Sequence, residues 1–326
     1  MSQEPTRSEL DETQSLIVLG VDGGGTKTVA WLALIRPGED MSIIGRGRAG
    51  TSNVMAVGLS EATANLQAAI LQAWKDSPFS PRSVDFAVFA LSGAGLESVQ
   101  QQISLWVERQ EIAQKLEIIH DAQAVLSAGT PAGSGVALIS GTGSVAIGRS
   151  TEDSTIITGG WGYWFGDEGS AFSIGQEALR AVAQAHDGRG GETILTDAIL
   201  KQVGASDPRK LLEALSSENQ TRYAIASLAR EVSVAAESND EVALGIVDQA
   251  ATSLAKLAET TAEKLSLGSS FPLALAGGVL CGSEPIRKSM LRKLDDSAVE
   301  PNPLKIVTDP VVGCLELARK NLESSD

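Results

Sequence analysis

The 326-residue chain has only two cysteines and two histidines, and both scarcities exclude chemistry. Cys281 and Cys314 form no CxxC pair, which rules out a disulfide framework and a four-ligand zinc site. His120 and His186 stand at no metal-ligand spacing and read as structural. A surplus of basic residues is also missing. The formal net charge of −15 argues against sequence-independent binding to nucleic acid or to anionic lipid, both of which need clustered Lys and Arg. No uninterrupted apolar run approaches the roughly 20 residues that span a bilayer. Residues 1–14 are polar and acidic, without the basic start or apolar stretch of a secretory signal. These absences predict a disordered tail on a cytoplasmic protein with no nucleic-acid or membrane partner.

What the sequence does contain is enough apolar material for packed cores, with 43% hydrophobic and 21% charged residues. Its length exceeds what one core usually supports, so two domains with a cleft between them are expected. The run LIVLGV leads into DGGGT and then TVAWLALI, a β-hairpin pattern. About 119 positions later VALIS leads into GTGS and VAIG, which reads as an internal repeat. Each copy continues as strand, helix, strand, helix, strand. Alternation of helices with strands in the first lobe predicts mostly parallel pairing. Helices expected at 171–185, 192–203, 222–236 and 241–265 form an insertion in the second lobe. Within the last of these, Ala243, Ile246, Val247, Ala250, Leu254, Leu257 and Ala258 recur at helical spacing and read as core. The boundaries are a tail at 1–14, an N-terminal lobe at 15–120 and a C-terminal lobe at 121–310. A terminal helix at 311–326 is expected to pack back on the N-terminal lobe.

Because the overall field repels anions, a nucleotide site in this chain must be built from backbone dipoles, a metal ion and a few cations. The loop Asp22-Gly23-Gly24-Gly25-Thr26-Lys27 joins two strands and so is not a Walker A loop, which would open a helix. Its glycines let backbone N–H groups approach phosphate; Asp22 could hold Mg²⁺ at the strand end, and Thr26 and Lys27 could contact phosphate oxygens. A plain tight hairpin explains the same glycines. The second loop, Ser140-Gly141-Thr142-Gly143-Ser144, repeats the device, and two such loops suit a nucleotide diphosphate. Gly277-Gly278, between a buried strand and a helix, could pass close to adenine or ribose, or could serve helix–strand packing.

Asp121 heads DAQAVLSAG, where it could be a helix N-cap, a general base that takes a proton from an attacking hydroxyl, or both. The run GGWGYWFGDEGS at 159–170 mixes glycines, aromatics and two acids at a density that suits a loop around a small polar ligand. Trp161 would lie against the ligand's apolar face, and Asp167 would accept its hydroxyl hydrogen bonds. Asn53, in GTSN before the first helix, could cap that helix or bind the same ligand.

Taken together, VDGGGTKT, GTSNVMAVG, the aspartate of HDAQAV, LISGTGS, GGWGYWFGDEGSAFSIG and LALAGGV resemble the N-acetylglucosamine kinase family. The resemblance spans nearly the whole chain after the tail. It implies an α/β protein of two actin-like (ribonuclease H-like) lobes, each a mixed sheet flanked by helices, with an interdomain nucleotide cleft. It also implies an ATP- and Mg²⁺-dependent kinase acting on the 6-hydroxyl of N-acetylglucosamine, with glucosamine as rival acceptor and a homodimer allowed. By the same resemblance Asp22, Gly24, Gly25, Thr26 and Lys27 form the first phosphate loop and Gly141, Thr142 and Gly143 the second. Gly277 and Gly278 lie by adenosine; Asn53, Asp121, Gly160, Trp161 and Asp167 contact the sugar; Asp121 is the base. The activator ATPases of benzoyl-CoA reductase and hydroxyacyl-CoA dehydratase are similar too. They hold a [4Fe-4S] cluster through cysteines near the start of the second lobe, far from Cys281 and Cys314. A non-sugar activator or switch ATPase is therefore the weaker reading. Zinc-motif sugar kinases are disfavoured because no Cys/His cluster occurs.

Overall fold

The computed structural model describes residues 15–36, 38–92, 96–216 and 221–323. The tail expected at 1–14 lies outside the described residues. The chain divides into two units, the first running to Ala128 and resuming at Asp309, the second spanning Gly129–Thr308.

In the first unit, β1 (Leu16–Gly23), β2 (Thr28–Ile35), β3 (Ser42–Ala49), β4 (Phe86–Leu91) and β5 (Leu116–His120) form one sheet in the order β3-β2-β1-β4-β5. The pairs β1/β2 and β2/β3 are antiparallel, whereas β1/β4 and β4/β5 are parallel. The expectation of mostly parallel pairing is thus corrected to an even mixture. The physical reason is loop length: the short connections on either side of β2 can join only antiparallel neighbours, and parallel neighbours need a crossover.

β1 is central and buried on both faces, with alternation dividing its side chains. Ile17, Leu19 and Val21 enter one core with Leu66, Ile70 and Ile103, and Val18 enters another with Cys314, Leu315 and Ala318. The first core is covered by α1 (Val54–Asp76) and α2 (Glu97–Arg109); the second is covered by α3 (Asp121–Gly129) and the terminal helix α12 (Val311–Glu323). The domain boundary therefore falls after Ala128, past the expected 120, and α3 stands with the first unit.

α1 begins at Val54, directly after Asn53. Asn53 caps it, and Gly58, at φ 78°, interrupts it just after the first turn. It is the one helix among the described residues with the length and mean hydropathy, 1.3, of a membrane span. That apolarity has a structural use, because Ala69 and Ala73 lie so close to β3 that any side chain at Gly47 or Gly45 would meet their carbonyls.

The second unit repeats the design with β6 (Gly135–Ser140), β7 (Ser144–Arg149), β8 (Thr155–Gly159), β9 (Ser270–Ala276) and β10 (Glu300–Ile306) in the order β10-β9-β6-β7-β8. Strand senses match one for one: β6/β7 and β7/β8 antiparallel, β6/β9 and β9/β10 parallel. The internal repeat read from the two glycine loops is thus a repeat of the whole sheet. Between β8 and β9 the insertion forms α4 (Ala171–His186), α5 (Leu195–Val203), α6 (Leu211–Ser216), α7 (Thr221–Ser227), α8 (Ala229–Glu237) and α9 (Glu241–Lys264). α10 (Gly278–Gly282) and α11 (Glu284–Asp296) follow β9. The α9 stripe of Ala243, Ile246, Val247, Ala250, Leu254 and Ala258 is buried in the core of this unit, with Leu257 packed against it.

Candidate functional site

In the first unit the parallel strands bring their C-terminal ends to one sheet edge, where Gly23, Leu91 and His120 stand in register. Asp22 lies on β1 and Asp121 directly follows β5, strands two spacings or roughly 10 Å apart. After Asp22 the chain turns sharply. The Gly24 N–H donates to Lys27 O at 3.0 Å, closing the Gly24–Lys27 loop. Thr51 Oγ1 donates to Gly24 O at 2.9 Å, Thr28 Oγ1 to Gly50 O at 2.7 Å and the Asn65 amide to Thr51 O at 2.7 Å. The glycine loop is thereby tied to the segment that carries Asn53. Asn53 Oδ1 accepts the Met55 N–H at 3.0 Å, so the capping reading holds for this residue. Ser52, 1% exposed, is packed against Gly23, and its Oγ has no hydrogen-bond partner among the described residues.

Asp121 is not the N-cap of α3. His120 holds that position: its Nδ1 lies 3.2 Å from the Ala122 N–H, and Gln123 Oε1 accepts the His120 N–H at 3.1 Å, a reciprocal pair like a capping box. The capping alternative for Asp121 is therefore corrected, and its carboxylate is left partly exposed, with Oδ1 taking the adjacent Ala122 N–H at 2.9 Å. His120 Nδ1 also lies 2.9 Å from Asp121 Oδ1. The neutral ring accepts from Ala122, and the protonated ring donates to Asp121, which raises the His120 pKa against the opposing effect of burial.

Asp22 carries the largest perturbation of this edge. Burial, then the charge of Asp121, push its pKa to about 7; Lys27 opposes the rise and Asp309 adds to it. Asp309, just before α12, is a member of the cluster that motif reading missed, because a lone TDP carries no pattern. A carboxylate held half-neutral by burial and by neighbouring carboxylates is an oxygen donor that a hard cation would relieve.

In the second unit the Gly141 N–H donates to Gly143 O at 2.9 Å, closing the second loop. This loop is bound to the root of the aromatic run. Ser140 Oγ donates to Gly169 O and Ser144 Oγ to Glu168 O, both at 2.8 Å, and the Ala171 N–H donates to Gly141 O at 2.8 Å. Asp167, 4% exposed, sits beneath the loop with Oδ1 accepting the Ser144 N–H at 3.2 Å and Oδ2 paired with Arg222 Nη2 at 3.3 Å. Burial raises its pKa, while the Ser144 and Gly162 amides and Arg222 pull it back. A Cβ at Gly143 would stand 2.9 Å from that carboxylate, so glycine is required there. The Gly160 N–H donates to Ser144 O at 3.0 Å. Beyond it Trp161, Trp164 and Phe165 are 72%, 80% and 75% exposed, which excludes a core role for them.

Gly277 closes the arrangement. It has φ 89°, and a Cβ there would run into Ser140 O and stand 2.9 Å from Gly141 N. Gly277 therefore lies against the second glycine loop. Gly277→Ala is expected to cost about 2–4 kcal/mol of stability from backbone strain and this collision. Denaturant titration checks it, and an unshifted midpoint contradicts the close approach.

The structure thus gathers Asp22, Gly24, Gly25, Thr26, Lys27, Asn53 and Asp121 in one unit, and Gly141, Thr142, Gly143, Gly160, Trp161, Asp167, Gly277 and Gly278 in the other. The chain is 27% identical to the N-acetylmuramic acid/N-acetylglucosamine kinase of Clostridium acetobutylicum, covering 94% of this chain and 99% of that one. It is 29% identical to the N-acetyl-D-glucosamine kinase of Dictyostelium discoideum, covering 93% and 97%. A solved structure from Chromobacterium violaceum, provisionally designated an N-acetylglucosamine kinase, superposes with a TM-score of 0.73 at 26% identity over 93% and 99% of the two chains. The two units are actin-like lobes, each a mixed sheet flanked by helices. Residues 19–318 match the model of one family of nucleotide-hydrolysing proteins, and the chain belongs to that family, the BadF/BadG/BcrA/BcrD ATPases.

Proposed function

We propose that the chain is an ATP-dependent kinase that transfers the γ-phosphoryl group to the 6-hydroxyl of N-acetylglucosamine. The observation that supports this most is Asp121, relieved of capping by His120 and Gln123, on the same sheet edge as the loop that starts at Asp22. A base and a phosphate loop in that relation suit phosphoryl transfer to an alcohol. The activities named for the Clostridium and Dictyostelium relatives suggest the acceptor.

In this reading the Gly24, Gly25 and Thr26 amides and the Lys27 ammonium take phosphate oxygens, as do the amides of Gly141, Thr142 and Gly143, and Gly277-Gly278 lies by adenosine. Among the described residues no three His, Cys, Asp or Glu side chains form a metal site by themselves. Mg²⁺ fits here as an ion coordinated mainly by phosphate and water, with Asp22 on its protein side. Bound there, it would neutralise charge on the phosphates. Asn53, Gly160 and Trp161 contact the acceptor, and Asp167 serves it from lone pairs left by Ser144 and Arg222. Asp121 accepts the proton of the 6-hydroxyl as that oxygen bonds to the γ-phosphorus; the bond to the bridging oxygen breaks, and ADP leaves with the electron pair.

An iron–sulfur activator is disfavoured. The buried Cys314 thiol donates to Val21 O at 3.4 Å and Cys281 to Val307 O at 3.7 Å, each inside its own unit. A coupled ADP-release assay across N-acetylglucosamine, glucosamine, N-acetylmuramic acid, N-acetylmannosamine and glucose tests the kinase reading. ADP release stimulated at least ~10-fold by N-acetylglucosamine is expected. Hydrolysis indifferent to every sugar would leave a switch ATPase instead.

A further inference from the structure

The tip of the aromatic run and its root are held by one cation. Arg222, on α7, stacks its guanidinium over the Tyr163 ring at 4.7 Å while Nη2 reaches Asp167 Oδ2 at 3.3 Å. Tyr163 in turn stacks on Trp164 at 5.1 Å and meets the Phe172 ring edge-on at 5.2 Å. Asp167 passes the contact onward, because its other oxygen takes the Ser144 N–H at the end of the second phosphate loop. Asp167 is also a strained residue, a non-glycine at φ 61°, and such a conformation persists only where surrounding contacts hold it. A carboxylate 4% exposed needs a partner charge to stay ionised, and Arg222 is the cation paired with it.

We propose that Arg222 is a positioning residue that couples the aromatic acceptor loop to the second phosphate loop, through Tyr163 on one side and Asp167 on the other. Removing the guanidinium releases two things at once. Tyr163 loses its cation–π contact, so the Trp161–Gly166 tip loosens. Asp167 loses its counter-charge, takes up a proton or turns toward water, and ceases to be an anionic acceptor for Ser144 N–H. Lysine separates the two effects, because it keeps a charge near Asp167 but lacks the planar face that stacks on Tyr163. What the loops bind rests on the kinase reading above; the coupling between them does not.

The test therefore has one arm without ligand and one with substrates, on Arg222→Met and Arg222→Lys. In the ligand-free protein, Arg222→Met is expected to speed amide exchange ~10-fold or more at both 140–144 and 161–167, and Arg222→Lys to do so only at 161–166. With substrates, Arg222→Met raises KM for both ATP and acceptor ~10-fold while kcat stays within about 3-fold, and Arg222→Lys raises only the acceptor KM. Exchange changes confined to α7, or a loss of active fraction with both KM values unchanged, overturn the coupling. If wild-type protein releases no ADP with any sugar, the kinase reading falls, and the exchange arm alone decides whether Arg222 couples the loops.

Discussion

Asp121→Asn is expected to keep its fold and its affinity for ATP but to lose roughly 10²- to 10⁴-fold in kcat. The fold survives because the start of α3 is capped by His120 and Gln123, not by Asp121. The backbone contact from the Ala122 N–H to Asp121 Oδ1 is open to an asparagine oxygen as well. What asparagine cannot do is receive a proton from an attacking hydroxyl. Phosphoryl transfer through a loose transition state needs limited help from a base, which puts the loss toward the lower part of that range. The variant also removes the charge that raises the His120 pKa, so His120 titrates at lower pH in it. Turnover, melting temperature and ATP affinity on the one variant check the expectation. Near-wild-type turnover in a folded Asp121→Asn protein removes Asp121 from the chemistry.

Asp22→Asn is expected to give a more stable protein without ligand and one that no longer binds nucleotide in a Mg²⁺-dependent way. The folded-state pKa of Asp22 is raised from 3.8 to about 7, so folding favours its neutral form. The stability this contributes is fully present below about pH 4 and is lost as pH rises through 7. A shift of that size corresponds to about 4 kcal/mol, and the partial exposure of Asp22 reduces the expected effect to ~2 kcal/mol. At pH 8 the ligand-free variant should therefore exceed wild type by ~2 kcal/mol, and at pH 4 the two should coincide. Denaturant midpoints at both pH values check this. Equal stability of the two proteins at pH 8 contradicts the account of Asp22 as a buried carboxylate crowded by Asp121 and Asp309. Stability given up at the position where a cation would be held is the usual cost of a functional site.

Both sheets were legible because each opens with apolar runs around a short glycine loop, a local pattern that survives in any tertiary context. Strand direction was less legible, since alternation of helix and strand suggests parallel pairing and says nothing of the hairpins that precede it. Asp121 was open to a capping reading because histidine is an uncommon cap; the sign available was Gln123, three positions past His120, as in a capping box. The density of glycine and aromatic residues made 159–170 a candidate ligand loop, yet nothing local showed that Asp167 would turn inward under Ser144. Arg222 was invisible. It lies in the helical insertion, 55 positions from Asp167, and long-range ion pairs leave no trace in periodicity or spacing.

The measurement that bears most directly on the proposed kinase is the product of a reaction of wild-type protein with Mg²⁺-ATP and N-acetylglucosamine, read by ³¹P–¹H correlation. The account predicts a new phosphomonoester coupled to the two H6 protons, formed one for one with ADP and absent with Asp121→Asn. ADP accumulating beside free phosphate, with no phosphosugar formed, would contradict it.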